Sequence, residues 1–512
     1  MLTLGAAGLV GVGAGVAGFE LYRGSSAVSP QAIGPGSPLV AATEAARLST
    51  GTVVTRTLTA APATVDLGGR VVNTWAYNGG VGTPLIRVSA GDRLDVHLLN
   101  QLTDPTTVHW HGLALRNDMD GVPGVTMDSV APGADFRYSF TAPHPGTYWF
   151  HPHVGVQMDR GLQGALIIDD PHEPGGYDQE VVLILDDWTD GWSATPDAIL
   201  ARLGRDGMSM GGSSGSSGGM NMGSGGMGGM DMGSTVSATQ PLGTDTGDVV
   251  YPAHLINGRL PQDPMTVSAK PGQRIRFRLI NAGSDTAYRF AVGGHRLTVT
   301  HADGFPVQPV EVDTVVLGMG ERYDVVVTAG DGAFPIVASP EGKGDAAALA
   351  VLRTASGAAP AVGARPVELD GRLLSYVDLV PTDSAALPAR QPDRRLDVTL
   401  GMVNGGRQWV LNGVPYDRHR ALDVTAGQRV RITMRNETMM FHPMHLHGHT
   451  FAVVTGPGNT AAPGVRKDTV NVLPMQTVAI DLDTDNPGQW LAHCHNAYHG
   501  ELGMMTVMSY TV

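Results

Sequence analysis

Three stretches of this sequence repeat one pattern, and that repeat restricts the fold more than any other feature. They are "AGDRLDVHLLNQLTDPTTVHWHGL" (90–113), "PGQRIRFRLINAGSDTAYRFAVGGH" (271–295) and "AGQRVRITMRNETMMFHPMHLHGH" (426–449). Each opens on a glycine turn, alternates polar with apolar residues, reaches an asparagine and enters a second strand. A second element recurs downstream as "PGADFRYSFTAPHPGTYWFHPH", "GMGERYDVVVTAGDGAFPIVAS" and "PMQTVAIDLDTDNPGQWLAHCH". Alternation with a period of two over such short runs marks half-buried strands. The expected fold is therefore all-β, with three consecutive domains, each a sandwich or a Greek-key barrel. The 512-residue length fits two to four domains, and 69 glycines, 34 prolines and only 16% charged residues suit many turns. We expect an export signal and linker over 1–44, then domains at 45–172, 173–358 and 359–512, the second interrupted by a flexible Met-rich insertion at 208–233.

The run from Leu2 to Phe19 is apolar and precedes the small residues Ser25, Ser26 and Ala27, as in an export signal. It predicts a periplasmic, cell-wall or extracellular protein. No basic residue precedes the run, so the other reading is an N-terminal membrane anchor. A net charge of −14 argues against a nucleic-acid partner. The single cysteine, Cys494, excludes an intramolecular disulfide and is open to reading as nucleophile, metal ligand or buried small hydrophobe.

The neighbours of Cys494 narrow that choice. Four His-x-His pairs occur, at His109/His111, His151/His153, His445/His447 and His493/His495. Residues i and i+2 of a strand share a face, so each pair can aim two imidazoles at one metal cluster. All four pairs sit in the first and third copies; the middle copy has "TAYRFAVGG" and "FPIVAS" instead and reads as a spacer. Zinc is the competing metal, but eight imidazoles exceed what one tetrahedral site uses. Cys494, between His493 and His495, points to the opposite face from both. His442, three residues before His445, also faces away from the cluster. With His499 they make the two-histidine, one-cysteine set of a blue-copper centre, and Met504 is either its weak axial thioether or core packing.

"HWHGL", "YWFHPHV", "HPMHLHGHTF" and "HCHNAYHGELGM" resemble the four copper motifs of the multicopper oxidases, especially bacterial three-domain laccase-like and copper-tolerance enzymes. The resemblance covers nearly all of the chain after the N-terminal run. It implies three cupredoxin-like domains and four copper ions, one type 1, one type 2 and two type 3. It makes His109 and His445 the type 2 ligands, and His111, His151, His153, His447, His493 and His495 the type 3 ligands. His442, Cys494, His499 and Met504 would hold type 1 copper. The remaining histidines, among them His97, His144, His172, His295 and His449, become surface or supporting groups.

The resemblance also implies the reaction: substrates oxidised one electron at a time, and O2 reduced by four electrons to water. Cys494 is covalently flanked by His493 and His495, which gives a through-bond path between the sites. Asp120, in "NDMDGVPG", matches a proton-donating acid and equally suits an Asp-Gly turn. Glu501 is a second relay candidate, but Gly500 stands where some copper-oxidising relatives carry an acid. The reducing substrates are phenols and aromatic amines, Cu(I), or both. Met440, with Met439 beside it, matches a cuprous-copper ligand of such enzymes, although either residue also suits strand core. Met208, Met210, Met220, Met222, Met227, Met230 and Met232 lie among glycine and serine, where no core can form. Soft thioethers there would bind Cu(I); the other reading is a low-complexity linker. A copper-sequestering protein without turnover is the alternative from a different class.

Overall fold

The computed structural model describes residues 32–207 and 236–512, apart from positions 174, 238, 457 and 459. The expected export signal and the seven methionines of the 208–233 insertion lie outside the described residues. No helix among the described residues is long and apolar enough to cross a membrane.

The sequence repeat is a repeat of topology. In the first unit one sheet runs Val71–Tyr77, Val53–Asp66, Arg93–Asn100, Asp135–Thr141, and the other Leu85–Ser89, Gly164–Asp169, Gly146–His151, His109–His111. The same order recurs in sheets of six and five strands in the second unit (Gln179–Arg353) and again in the third (Arg394–Tyr510). In every unit the opening strand lies parallel to the strand of the repeated motif: Val53–Asp66 beside Arg93–Asn100, Gln179–Trp188 beside Arg274–Asn281, Arg394–Val403 beside Arg429–Asn436. A parallel neighbour cannot be reached by a tight hairpin, so the chain must cross between sheets. The result is a chain of three cupredoxin-like units.

The recurring asparagine makes that crossing. Asn100, Asn281 and Asn436 each end the motif strand and are each buried. Each side-chain oxygen accepts the backbone N–H two residues on, at 3.0, 2.9 and 2.8 Å. Each side-chain amide donates to at least two carbonyls beyond the turn, as Asn436 does to Met440 at 2.6 Å and to Val472 and Leu473 at 3.1 Å. This satisfies backbone groups that a turn inside the protein would strand. The chain then enters the second sheet, on the strands that carry the histidines.

The second and third units meet through buried charge. Lys467 lies 3.0 Å from both Asp303 and Glu321, and all three side chains are fully buried. Removing one partner of such a group leaves an uncompensated charge, a loss of about 3–5 kcal/mol, so this seam is fixed in one arrangement.

Candidate metal centre

Strand pairing sets the histidines opposite one another. His109 faces His151 in the first unit, and His445 faces His493 in the third. Only His109/His111 lies wholly on a strand; the other three pairs begin on a strand and finish in the turn beyond it, after His151, Leu446 and Cys494. The turns carry the second imidazole of each pair towards the neighbouring unit. Three groups of ring nitrogens result, each within 4.8 Å: His111, His151 and His495; His153, His447 and His493; and His109, His111 and His445. Each group mixes first-unit and third-unit residues, so the cluster exists only where the two units meet.

The hydrogen bonds fix which nitrogen faces inward. Carbonyl and carboxylate oxygens only accept, so the ring nitrogens against them must carry the hydrogen. Nδ1 of His109 donates to the Asp120 carbonyl at 2.8 Å, that of His151 to Pro152 at 2.9 Å, and that of His445 to Asp468 at 2.9 Å. Their Nε2 atoms, and that of His153, are buried without a hydrogen-bond partner. Nδ1 of His447 donates to Asp120 Oδ2 and Nδ1 of His493 to the Cys494 carbonyl, both at 2.9 Å. That leaves two lone pairs facing each other across 3.1 Å between the Nε2 atoms of His447 and His493. His111 is turned the other way: Nε2 contacts Asp468 Oδ1 at 3.1 Å and Nδ1 faces His495 Nε2 at 3.2 Å. Opposed lone pairs in a dry site repel unless a cation lies between them. Burial also holds His111, His151, His153, His447, His493 and His495 well below the usual imidazole range, so the neutral rings that metal ligation needs are favoured.

On the opposite face, Cys494 Sγ lies 3.6 Å from Nδ1 of both His442 and His499, which are 3.2 Å apart. The centre of that triangle is about 2 Å from each corner, close to a metal–imidazole bond length. Burial opposes a proton on His499, but Asp248 and the Cys494 sulfur outweigh it and push the ring up to about 10. Met504 is fully buried beside this group, its backbone oxygen accepting from Cys494 N at 3.0 Å. Trp409 closes the site with its ring centre 4.1 Å from that of His499 and 5.0 Å from that of His442.

Family models described as multicopper oxidase match residues 59–173, 179–357 and 388–512. The multicopper oxidase MmcO of Mycobacterium tuberculosis is 46% identical, covering 98% of this chain and 95% of that protein. The chain is a multicopper oxidase. It is thus a copper-dependent oxidoreductase with O2 as acceptor. A copper resistance protein A homolog of Pseudomonas syringae pv. tomato is 28% identical over 87% of this chain and 90% of that one. The laccase of Botrytis aclada superposes with a TM-score of 0.71 at 25% identity, covering 95% of this chain and 93% of that one.

Asp120 reaches the histidine cluster: besides His447, its Oδ1 lies 3.3 Å from His109 Nδ1. It also occupies the expected turn, since Gly121 follows at φ +83° and a Cβ there would lie 1.9 Å from the Val108 carbonyl oxygen. Glu501 is half-buried on the wall of a small cavity that His153, His493 and His495 also line. Met440 is buried and Met439 half-buried next to the Cys494 site. His295 and His449 are buried rather than superficial, and His449 Nε2 lies 2.6 Å from the Tyr510 hydroxyl.

Sequence reasoning missed Asp248. Its Oδ2 lies 3.0 Å from His499 Nε2, on the ring edge that faces away from Cys494. The segment that carries it also bridges Asp245 to Met440 and places Leu242 in one buried cluster with Phe441. On the other side of the insertion, Gly207 lies against Gly405 and Arg407, and the helix Pro196–Asp206 contacts the helix Ala497–Glu501. Both described flanks of the insertion therefore border the Cys494 site. The middle unit is not a mere spacer either. A Cβ at Gly320 would lie 2.9 Å from His111 Cε1 and 3.0 Å from His495 Cδ2, so this unit touches the histidine cluster directly.

Proposed function

We propose that this oxidase takes single electrons at a type 1 copper held by His442, Cys494, His499 and Met504, and reduces O2 to water at a three-copper cluster. In that cluster His109 and His445 hold type 2 copper, and His111, His151, His153, His447, His493 and His495 hold the type 3 pair. The observation that carries the reading is the set of buried, unprotonated imidazole nitrogens converging across the unit boundary, joined to the cysteine sulfur by the segment His493–Cys494–His495. Copper supplies one-electron acceptance at the cysteine site and four-electron transfer to O2 at the histidine site. The chain favours neutral rings at the six type 3 positions, excludes water and keeps Asp120 beside His447, where a carboxylic acid can hand on a proton. Domain limits at 172/173 and 358/359 belong to this reading, as does export through the N-terminal run. Sequestration without turnover is not favoured for a chain with this complete donor set.

Phenols, aromatic amines and Cu(I) are the proposed substrates, with copper tolerance as the role, and Asp248 is where they meet the protein. A carboxylate on the outer edge of His499 accepts the proton that a phenol loses on oxidation, and it attracts a cuprous ion. Buried Met440 and the methionines of the insertion, whose flanks border the same site, favour Cu(I) among these substrates; the similarity to a laccase keeps phenols among them. Asp248→Asn should lower kcat/KM for a phenol and for Cu(I) about 10- to 100-fold while the blue absorption persists. The loss should be far smaller for the outer-sphere anion hexacyanoferrate(II). Equal losses for all three reductants, or none, would remove Asp248 from substrate recognition, and the larger of the first two losses identifies the preferred substrate.

A further inference from the structure

Arg322 belongs to the middle unit, which contributes no histidine to either site, yet every N–H of its guanidinium is engaged beside the cluster. Nε donates to the Thr147 carbonyl at 3.1 Å. Nη1 donates to the Gly320 carbonyl at 2.9 Å and to Asp468 Oδ1 at 2.7 Å. Nη2 donates to the Asp303 carbonyl at 3.1 Å and to Asp468 Oδ2 at 2.6 Å. Both side chains of the Arg322–Asp468 pair are fully buried. Five directed bonds from one planar group fix the carboxylate in position and in plane.

Asp468 carries that constraint to two histidines. Its Oδ1 accepts from His111 Nε2 at 3.1 Å, and its backbone carbonyl accepts from His445 Nδ1 at 2.9 Å. His111 is thereby the ring that presents Nδ1 inward; Thr469 Oγ1 also lies 3.2 Å from Nε2, but that hydroxyl is itself oriented by donating to Asp468 Oδ1 at 2.9 Å, so the carboxylate sets the tautomer. Three units therefore meet in one hydrogen-bonded chain: Arg322 from the second, Asp468 and His445 from the third, His111 from the first. The glycine of "HWHGL" makes room for it. A Cβ at Gly112, where φ is +90°, would lie 2.6 Å from Arg322 Nη2 and 2.7 Å from Asp468 Oδ2.

We infer that Arg322 is a positioning residue for the copper cluster: by gripping Asp468 it holds His445, a type 2 ligand, and keeps His111, a type 3 ligand, turned inward, so that retention of type 2 copper depends on the docking of the middle unit. The inference rests on the three-copper reading above. Lysine in its place keeps the charge but can neither bridge both carboxylate oxygens nor serve three carbonyls. Methionine removes the charge as well.

The test loads Arg322→Lys, Arg322→Met and wild-type protein with excess copper, removes the free metal, and measures copper per chain, blue absorption and the type 2 electron paramagnetic resonance signal. In both variants the blue absorption should match the wild type, because Cys494, His442 and His499 make no contact with the Arg322 network. Type 2 copper should be held about 10- to 100-fold more weakly, with Arg322→Lys retaining more than Arg322→Met. Lys467→Met, which breaks the neighbouring charge group and spares the Arg322–Asp468 pair, controls for general loosening of the seam. It should lower the melting temperature and keep the type 2 signal. A full type 2 signal in Arg322→Met, or an equal loss in Lys467→Met, overturns the inference. Should neither Arg322 variant fold, Asp468→Asn carries the same expectation, and an unchanged type 2 signal there overturns it as well. Wild-type protein with no type 2 signal would refute the three-copper reading itself, before any variant is compared.

Discussion

Cys494→Ser, loaded with copper, should be colourless and show no turnover above background with any reductant. Sulfur is the soft, covalent partner that gives such a centre its colour, and it is also the first atom of the path to His493 and His495. A serine oxygen replaces neither property. The change is small in volume, and the nearby Nδ1 atoms of His442 and His499, 3.6 Å from the sulfur, offer the hydroxyl hydrogen-bond partners. The fold should therefore survive, with one copper fewer per chain and the type 2 signal intact. Absorption, copper content and O2 uptake on the same preparation check this. A blue and active serine variant would mean that Cys494 is not a ligand.

Asp120→Asn should slow the reoxidation of fully reduced protein by O2 about 100-fold, with anaerobic reduction of the blue site by a phenol unchanged. An asparagine oxygen can still accept from His447 Nδ1, now 2.9 Å from Asp120 Oδ2, so the ring should keep its place. What is lost is a group that can carry a proton, in a pocket where the side chain is fully buried. Stopped-flow mixing separates the two half-reactions. Equal slowing of both, or of neither, would leave Asp120 only its turn beside Gly121.

What was legible in the sequence was local. The His-x-His spacing, the place of Cys494 between two histidines and the recurring asparagine are each visible over a few residues, although only His109/His111 keeps to one strand, and the structure brings the singled-out histidines together across the first and third units. What escaped was supplied from far along the chain. Asp248 reaches His499 over 251 positions, and Arg322 reaches Asp468 over 146. "TGDVVY" and "GERYDVV" carry no spacing that marks either residue, because each acts through a contact that only tertiary packing creates. The acid missing at Gly500 illustrates the point. Thr438 Oγ1 lies 2.9 Å from His442 Nε2, and the carboxylate arrives instead on the other histidine, from Asp248. The middle copy was misread for a related reason. Having no His-x-His pair in the repeated motif, it looked inert, although Arg322 contacts Asp468 and Gly320 sits against His111 and His495 of the other two units. Asp120 had two readings that the structure does not force apart, since its backbone makes the turn and its carboxylate meets His447.

The central claim is that one chain collects four single electrons before it releases water. It is tested most directly by measuring O2 consumed, and peroxide formed, per equivalent of a one-electron phenol oxidised by the fully copper-loaded protein. The account predicts one O2 for every four phenols, with no hydrogen peroxide accumulating even when the phenol is limiting. One O2 for every two phenols, with matching hydrogen peroxide, would contradict it, as would oxidation of the phenol without O2 uptake.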